Sequence, residues 1–123
     1  MLKNNLSSLD ILFQEIKAKA KNDDPKKSYT AFLVNAGIEN ITKKIIEEAF
    51  EVSLAAIDGN DHKNGKKQII LETADLFYHI LVLLAKKDVE LRDVIKELEN
   101  RNKTKNLSEK AIAKNKIKLS YAK

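Results

Sequence analysis

The chain has 123 residues, enough to bury one hydrophobic core and too few for two independent domains, so one active site is the most to expect. It has no cysteine, one proline and three glycines, which removes disulfides, thiolate metal sites, Fe–S clusters and cysteine nucleophiles, agrees with a reducing compartment and favours helix. The formal charge of +5 comes mainly from residues 102–123, where seven lysines face only Glu109; residues 1–101 hold 16 Lys and Arg against 17 Asp and Glu, so the basic character belongs to the tail and argues against a nucleic-acid-binding domain.

With only His62 and His79, zinc is disfavoured as well. Met1 to Asn5 lacks the apolar run of a secretory signal. The longest apolar stretch, Ile69 to Ala85, contains Glu72, Asp75 and His79 and is shorter than the ~20 residues of a membrane span. A soluble, cytoplasmic protein with no membrane segment is expected.

Along the chain, Leu9, Leu12, Phe13 and Ile16 recur with helical period, predicting a helix over residues 8–20 with Ser7 or Ser8 as N-cap. The breaker cluster Asn22-Asp23-Asp24-Pro25 ends it. Ser28 then caps a short helix from Tyr29 to Ala36, stopped by Gly37. A third helix runs from Ile38 to Ile57. Asp58 to Gly65 reads as a polar turn, and so short a link makes the flanking helices antiparallel neighbours. The fourth helix spans about residues 66–87, and the fifth, residues 91–100, puts Leu91, Val94, Ile95 and Leu98 on one face. Residues 102–123 form a lysine-rich tail, read as either a docked helix or a mobile segment. The expected fold is an all-α antiparallel bundle over residues 1–101.

On the third helix, Ile38, Ile41, Ile45, Ala49, Val52 and Ala56 make a stripe about 80° wide, widened on one side by Ile46, Phe50 and Ile57. Glu47, Glu48 and Glu51 share an arc of about 100° beside Lys44. On the fourth helix, Glu72, Asp75 and His79 form a narrow stripe on a surface otherwise apolar almost all round, which predicts a helix buried almost all round. Ionised carboxylates there need a charge partner, a cation or a wet cavity. Antiparallel packing sets Glu48 and Glu51 opposite Glu72 and Asp75, and oxygen-only ligands suit Mg²⁺ or, as a substitute, Mn²⁺. Mg²⁺ shares its sphere with phosphates, which points to phosphoanhydride hydrolysis of a nucleotide.

Each piece also has a plainer meaning. Glu-Glu-x-x-Glu alone is ordinarily a solvated acidic face, and Glu72-x-x-Asp75 is as readily a pair of structural ion pairs with lysines. Lys43 and Lys44 serve equally as salt-bridge partners for the glutamates. His79 reads as a core histidine, and Phe50, Phe77 and Tyr78 as core aromatics. The conjunction favours a metal site, because two acidic pairs on adjacent buried helices are costly without a cation.

Glu47-Glu48-x-x-Glu51, a 20-residue gap and Glu72-x-x-Asp75 resemble the signature of the all-α nucleoside triphosphate pyrophosphohydrolases, which include MazG-like enzymes and dimeric dUTPases. Ser28-Tyr29-Thr30, Leu33, Gly37, Lys44, the run from Glu72 through Asp75-Leu-Phe-Tyr-His79 to Leu84, and Val94, Leu98 and Arg101 resemble the phosphoribosyl-ATP pyrophosphohydrolase family within it. Two features depart from that pattern: Ile46 stands where the family often has Gly, and the lysine-rich tail has no counterpart. The resemblance implies the second step of histidine biosynthesis, phosphoribosyl-ATP and water giving phosphoribosyl-AMP and pyrophosphate. It also implies a homodimer with interleaved helices. By the same resemblance Glu48, Glu51, Glu72 and Asp75 are metal ligands, Glu47 orients the attacking water or holds a second metal, and Ser28, Tyr29, Thr30, Lys44 and His79 contact substrate. The next enzyme of the pathway, often fused to this one, resembles a cysteine-bound zinc enzyme, so a monofunctional form is expected. Two other readings stand beside it: house-cleaning hydrolysis of a dNTP, which shares the metal constellation, and a helical module whose basic tail binds a polyanion.

Overall fold

Helix formers dominate the chain, and every element of the computed structural model, which describes residues 7–57, 62–103 and 112–115, is helical. In order these are α1 (Ser8–Asn22), α2 (Tyr29–Ala36), α3 (Ile38–Ile57), α4 (His62–Lys86) and α5 (Leu91–Lys103), with a further helical stretch over residues 112–115. No strand occurs among the described residues, so the fold is all-α.

Local chemistry sets the boundaries. Ser7 is the N-cap of α1 in a reciprocal capping box: its hydroxyl accepts from the Asp10 amide, and the Asp10 carboxylate accepts from the Ser7 amide. Ser28 caps α2, its Oγ accepting from the Ala31 amide at 3.2 Å. Gly37 ends α2 at φ +107° and ψ 167°, a conformation that side-chain-bearing residues avoid, and α3 starts at the next residue. At the end of α4, Asp88 takes φ +56° while the Val89 amide reaches back to the Leu84 carbonyl at 2.9 Å, closing the last turn.

Residues 1–89 and 90–123 form two compact units. In the first, the most extensive packing is α3 against α4, joined by a link of only four residues, which makes them antiparallel. Helix α1 packs on α2 and α4, and α2 on α3 and α4. The core is Phe13 and Ile16 of α1, Ala31 and Leu33 of α2, Ile41 of α3, and Leu81 and Val82 of α4. Each large side chain buried there contributes roughly 1.5–3 kcal/mol of transfer free energy. In the second unit α5 is amphipathic, with Leu91, Val94, Ile95 and Leu98 along one face and an Arg101 Nε donating to Glu97 Oε2 at 2.8 Å.

Several expectations change. Residues 62–65, read as turn, are the first turn of α4, while residues 58–61 lie outside the described residues. The helix is correspondingly longer, and its segment Gly65–Lys86 has the length and composition of a membrane span, although Glu72 and Asp75 sit midway along it and it packs on three other helices. Helix α4 is also not buried all round. Val82 is fully buried, but Ile70 is 67% and Phe77 51% exposed, and on α3 Ile46 is 70%, Phe50 59% and Ile57 82% exposed. The short helices α1 and α2 cover only the buried end of the α3–α4 pair, near Ile41, Leu81 and Val82, so Phe50 and Phe77 are not core residues of the single chain. Residues 102–103 belong to α5, and most of the tail lies outside the described residues.

Candidate metal centre and its surroundings

Where α3 and α4 run side by side, carboxylate oxygens of Glu48, Glu72 and Asp75 lie within 4.8 Å of one another. One helix supplies Glu48 and the other an i, i+3 pair, so the group forms only because the two helices pack antiparallel. Glu48 and Glu72 are partly exposed and Asp75 is exposed, which gives the group access to solvent and ligand. Glu51 is exposed one turn beyond Glu48 and close enough for its charge to act on Glu72. Desolvation above all, then the charges of Glu48, Glu51 and Asp75, raises the Glu72 carboxyl above its ordinary range. Among the described residues, no ion pair neutralises Glu51, Glu72 or Asp75.

The lysine that does approach is Lys44, whose ammonium lies 3.5 Å from both Glu47 and Glu48 on its own helix. Partial burial works to lower its pKa, but Tyr29, Glu48 and Glu47 outweigh it and hold Lys44 charged. The salt-bridge reading therefore describes Lys44, with Glu47 turned to the edge of the site. Three carboxylates facing one point, of which only Glu48 has a lysine partner, are a donor set for a hard divalent cation. The three oxygens, within 4.8 Å of one another, are close enough together to share one such ion.

Behind this face, two adjacent residues of α2 meet two adjacent residues of α4. Thr30 Oγ1 and the Tyr78 hydroxyl form a short hydrogen bond, and the Tyr29 hydroxyl lies 3.3 Å from His79 Nε2. His79 Nδ1 lies 2.7 Å from the Asp75 carbonyl oxygen. A carbonyl only accepts, so Nδ1 carries the proton; in the neutral ring Nε2 is the acceptor and Tyr29 the donor. His79 is only 5% exposed, and both its nitrogens are engaged within the protein. The Tyr78 ring stacks near Tyr29, with centroids 6.2 Å apart, and stands edge-on to His79 at 5.1 Å. Burial, chiefly, raises the Tyr78 phenol above its ordinary range.

Of the residues expected to contact substrate, Lys44 is partly exposed and Tyr29 half-exposed beside the carboxylates, Ser28 is committed to the α2 cap, and Thr30 and His79 are buried. Tyr78, read as a core aromatic, is a partner of the Ser-Tyr-Thr segment. Its pairing with Thr30 spans 48 positions of sequence, a separation that helical periodicity does not reveal.

A family profile described as phosphoribosyl-ATP pyrophosphohydrolase matches residues 11–102, which include all of these side chains. A phosphoribosyl-ATP pyrophosphatase of Trichlorobacter lovleyi is 42% identical over 113 residues, covering 92% of this chain and 99% of the relative. One from Listeria monocytogenes is 45% identical over 94 residues, covering 76% and 84%. A histidine biosynthesis bifunctional protein of Vibrio cholerae is 43% identical over 90 residues, and there the match spans 73% of this chain but only 40% of the relative. The profile covers most of the described first unit and continues into α5. On this evidence the chain belongs to the phosphoribosyl-ATP pyrophosphohydrolase family.

Proposed function

We propose that this protein hydrolyses phosphoribosyl-ATP to phosphoribosyl-AMP and pyrophosphate, the second step of histidine biosynthesis, with Mg²⁺ held by Glu48, Glu72 and Asp75 and Glu51 as a further ligand. The observation that carries the reading is the convergence of three carboxylates from two helices in a chain of this family. Bound there, Mg²⁺ supplies Lewis acidity toward the phosphate oxygens and offsets the charge that develops on the departing pyrophosphate.

The chain's own groups divide the remaining work. Lys44, charged and partly exposed, offers its ammonium to a phosphate oxygen at the cost of its long contacts to Glu47 and Glu48. Glu47, at the edge of the cluster, orients the attacking water and takes up its proton as the new P–O bond forms and the bridging P–O bond breaks. A second cation at Glu47 is the other role open to it. Tyr29, half-exposed beside Lys44, is the α2 residue best placed to touch substrate, with Ser28, Thr30 and His79 behind it.

The exposed apolar side chains Ile46, Phe50 and Ile57 of α3 and Ile70 and Phe77 of α4 support a homodimer, since so many large apolar side chains are costly to leave in water. A soluble cytoplasmic location follows from a biosynthetic role of this kind.

The test is pyrophosphate release from phosphoribosyl-ATP measured beside each dNTP. Selective, Mg²⁺-dependent turnover of phosphoribosyl-ATP is expected, and a strong preference for any dNTP overturns the assignment. Glu48→Gln and Asp75→Asn are each expected to remain folded and helical and to lose at least ~10²-fold in turnover, the scale of removing an electrostatic stabiliser of the transition state. Unchanged turnover in both would sink the metal site.

A further inference from the structure

His79 is a buried histidine one turn from Asp75, and its two ring nitrogens face different elements. His79 Nδ1 donates to the carbonyl oxygen of Asp75, one turn back on α4, at 2.7 Å. That bond fixes the tautomer, leaves Nε2 as an acceptor, and aims it at the Tyr29 hydroxyl of α2, 3.3 Å away. Edge-on contacts with Tyr29 and Tyr78, at 6.0 and 5.1 Å between centroids, hold the ring plane. Tyr29 in turn acts on the charge of Lys44, which sits 3.5 Å from Glu48. A hydrogen-bonded chain therefore runs from the Asp75 carbonyl through His79, both on α4, to Tyr29 on α2. It begins at the backbone of Asp75, a member of the carboxylate group.

We propose that His79 is a positioning residue that never touches substrate: with Tyr29 it ties α2 to the Asp75 turn and so sets the spacing of the carboxylates contributed by α3 and α4. Geometry supports this over a ligand-facing role, because a ring 5% exposed with both nitrogens satisfied has no atom left to offer. Helix α2 has only eight residues and touches both α3 and α4, so a polar tie at its first turn bears directly on how those two helices are held. Outer hydrogen bonds that orient metal ligands typically change metal affinity about 10–100-fold when lost. The inference rests on the carboxylate group being a metal site.

The experiment measures Mn²⁺ affinity of the substrate-free protein by electron paramagnetic resonance, with kcat and KM measured separately. Tyr29→Phe removes the donor of the tie. His79→Asn keeps a donor near the Nδ1 position and loses the Nε2 acceptor, whereas His79→Gln keeps an acceptor near Nε2. Tyr29→Phe and His79→Asn are each expected to weaken Mn²⁺ binding about tenfold. Their combination is expected to be no weaker than either alone, because both cut the same link, and His79→Gln is expected to recover part of the loss. Wild-type affinity in both single variants overturns the tie, as does full additivity in the double variant. If His79→Asn fails to fold by circular dichroism, Tyr29→Phe, a one-atom change on a half-exposed ring, decides alone. A wild-type protein that binds no Mn²⁺ overturns the metal site itself and the tie with it, a result distinct from wild-type binding that the variants leave unchanged.

Discussion

Glu72 carries the clearest energetic signature of the site. Desolvation first, then the charges of Glu48, Glu51 and Asp75, raises its pKa above the ordinary value. A raised carboxyl holds its proton in the folded state at a pH where the unfolded chain has released it. Its contribution therefore favours the fold at low pH and is lost as pH rises through the folded pKa. At neutral pH the ionised group destabilises the metal-free protein, and a divalent cation that neutralises it should stabilise. We expect Mg²⁺ to raise the melting temperature at neutral pH and the increment to shrink as pH falls through the raised folded-state pKa of Glu72, because protonated Glu72 no longer ligates. Glu72→Gln should melt above the wild type in EDTA, show little response to Mg²⁺, and lose at least ~10²-fold in turnover. Scanning calorimetry with and without Mg²⁺ checks these outcomes, and a Mg²⁺ increment independent of pH contradicts them.

At the scale of elements, helix boundaries follow caps and punctuation. Helices α2 and α3 run as Ser28, Gly37 and the hydrophobic period predict, because their signals are local: a hydroxyl in reach of its own third amide, and a glycine at positive φ. Gly37 is the stricter case. No atom lies within 4 Å of where its Cβ would be, so the cost of a side chain is purely conformational. Gly37→Ala should destabilise by about 1–3 kcal/mol, the range for holding a residue in a glycine-only region. Chemical denaturation checks it, with a shift in midpoint at unchanged slope. The N-terminus of α4 was less legible. Polar residues with Gly65 among them read as a turn, yet residues 62–65 are helical, and Asn and Gly preferences are weak enough for neighbouring turns of helix to override. Ser7 rather than Ser8 caps α1 because the Asp10 carboxylate completes the capping box with it.

Across the whole molecule, the apolar residues of α3 and α4 outnumber what α1 and α2 cover. Phe50 and Ile57 remain 59% and 82% exposed although their periodicity marks them as interior. In the proposed homodimer a second copy covers these side chains, and the wild type should sediment as a dimer. Phe50→Glu should shift it toward monomer at micromolar concentration in analytical ultracentrifugation, since an ionised carboxylate in an apolar interface costs several kcal/mol. A wild type that sediments as monomer at all concentrations overturns the dimer. What the sequence alone determined was local or periodic: the all-α class, the caps at Ser28 and Gly37, and the arcs carrying Glu47, Glu48 and Glu51 on one helix and Glu72, Asp75 and His79 on the other. Helical period places residues about a single axis, so it reports which side chains share a face but not what that face meets. Only the tertiary structure decided that Glu48, rather than Glu51, closes on Glu72 and Asp75, that Lys44 reaches both Glu47 and Glu48, and that Tyr29 and Thr30 bond to His79 and Tyr78 some fifty residues away. Those outcomes depend on the rotation of packed helices about their axes, which is set by side-chain packing between elements and is written in no single stretch of the chain.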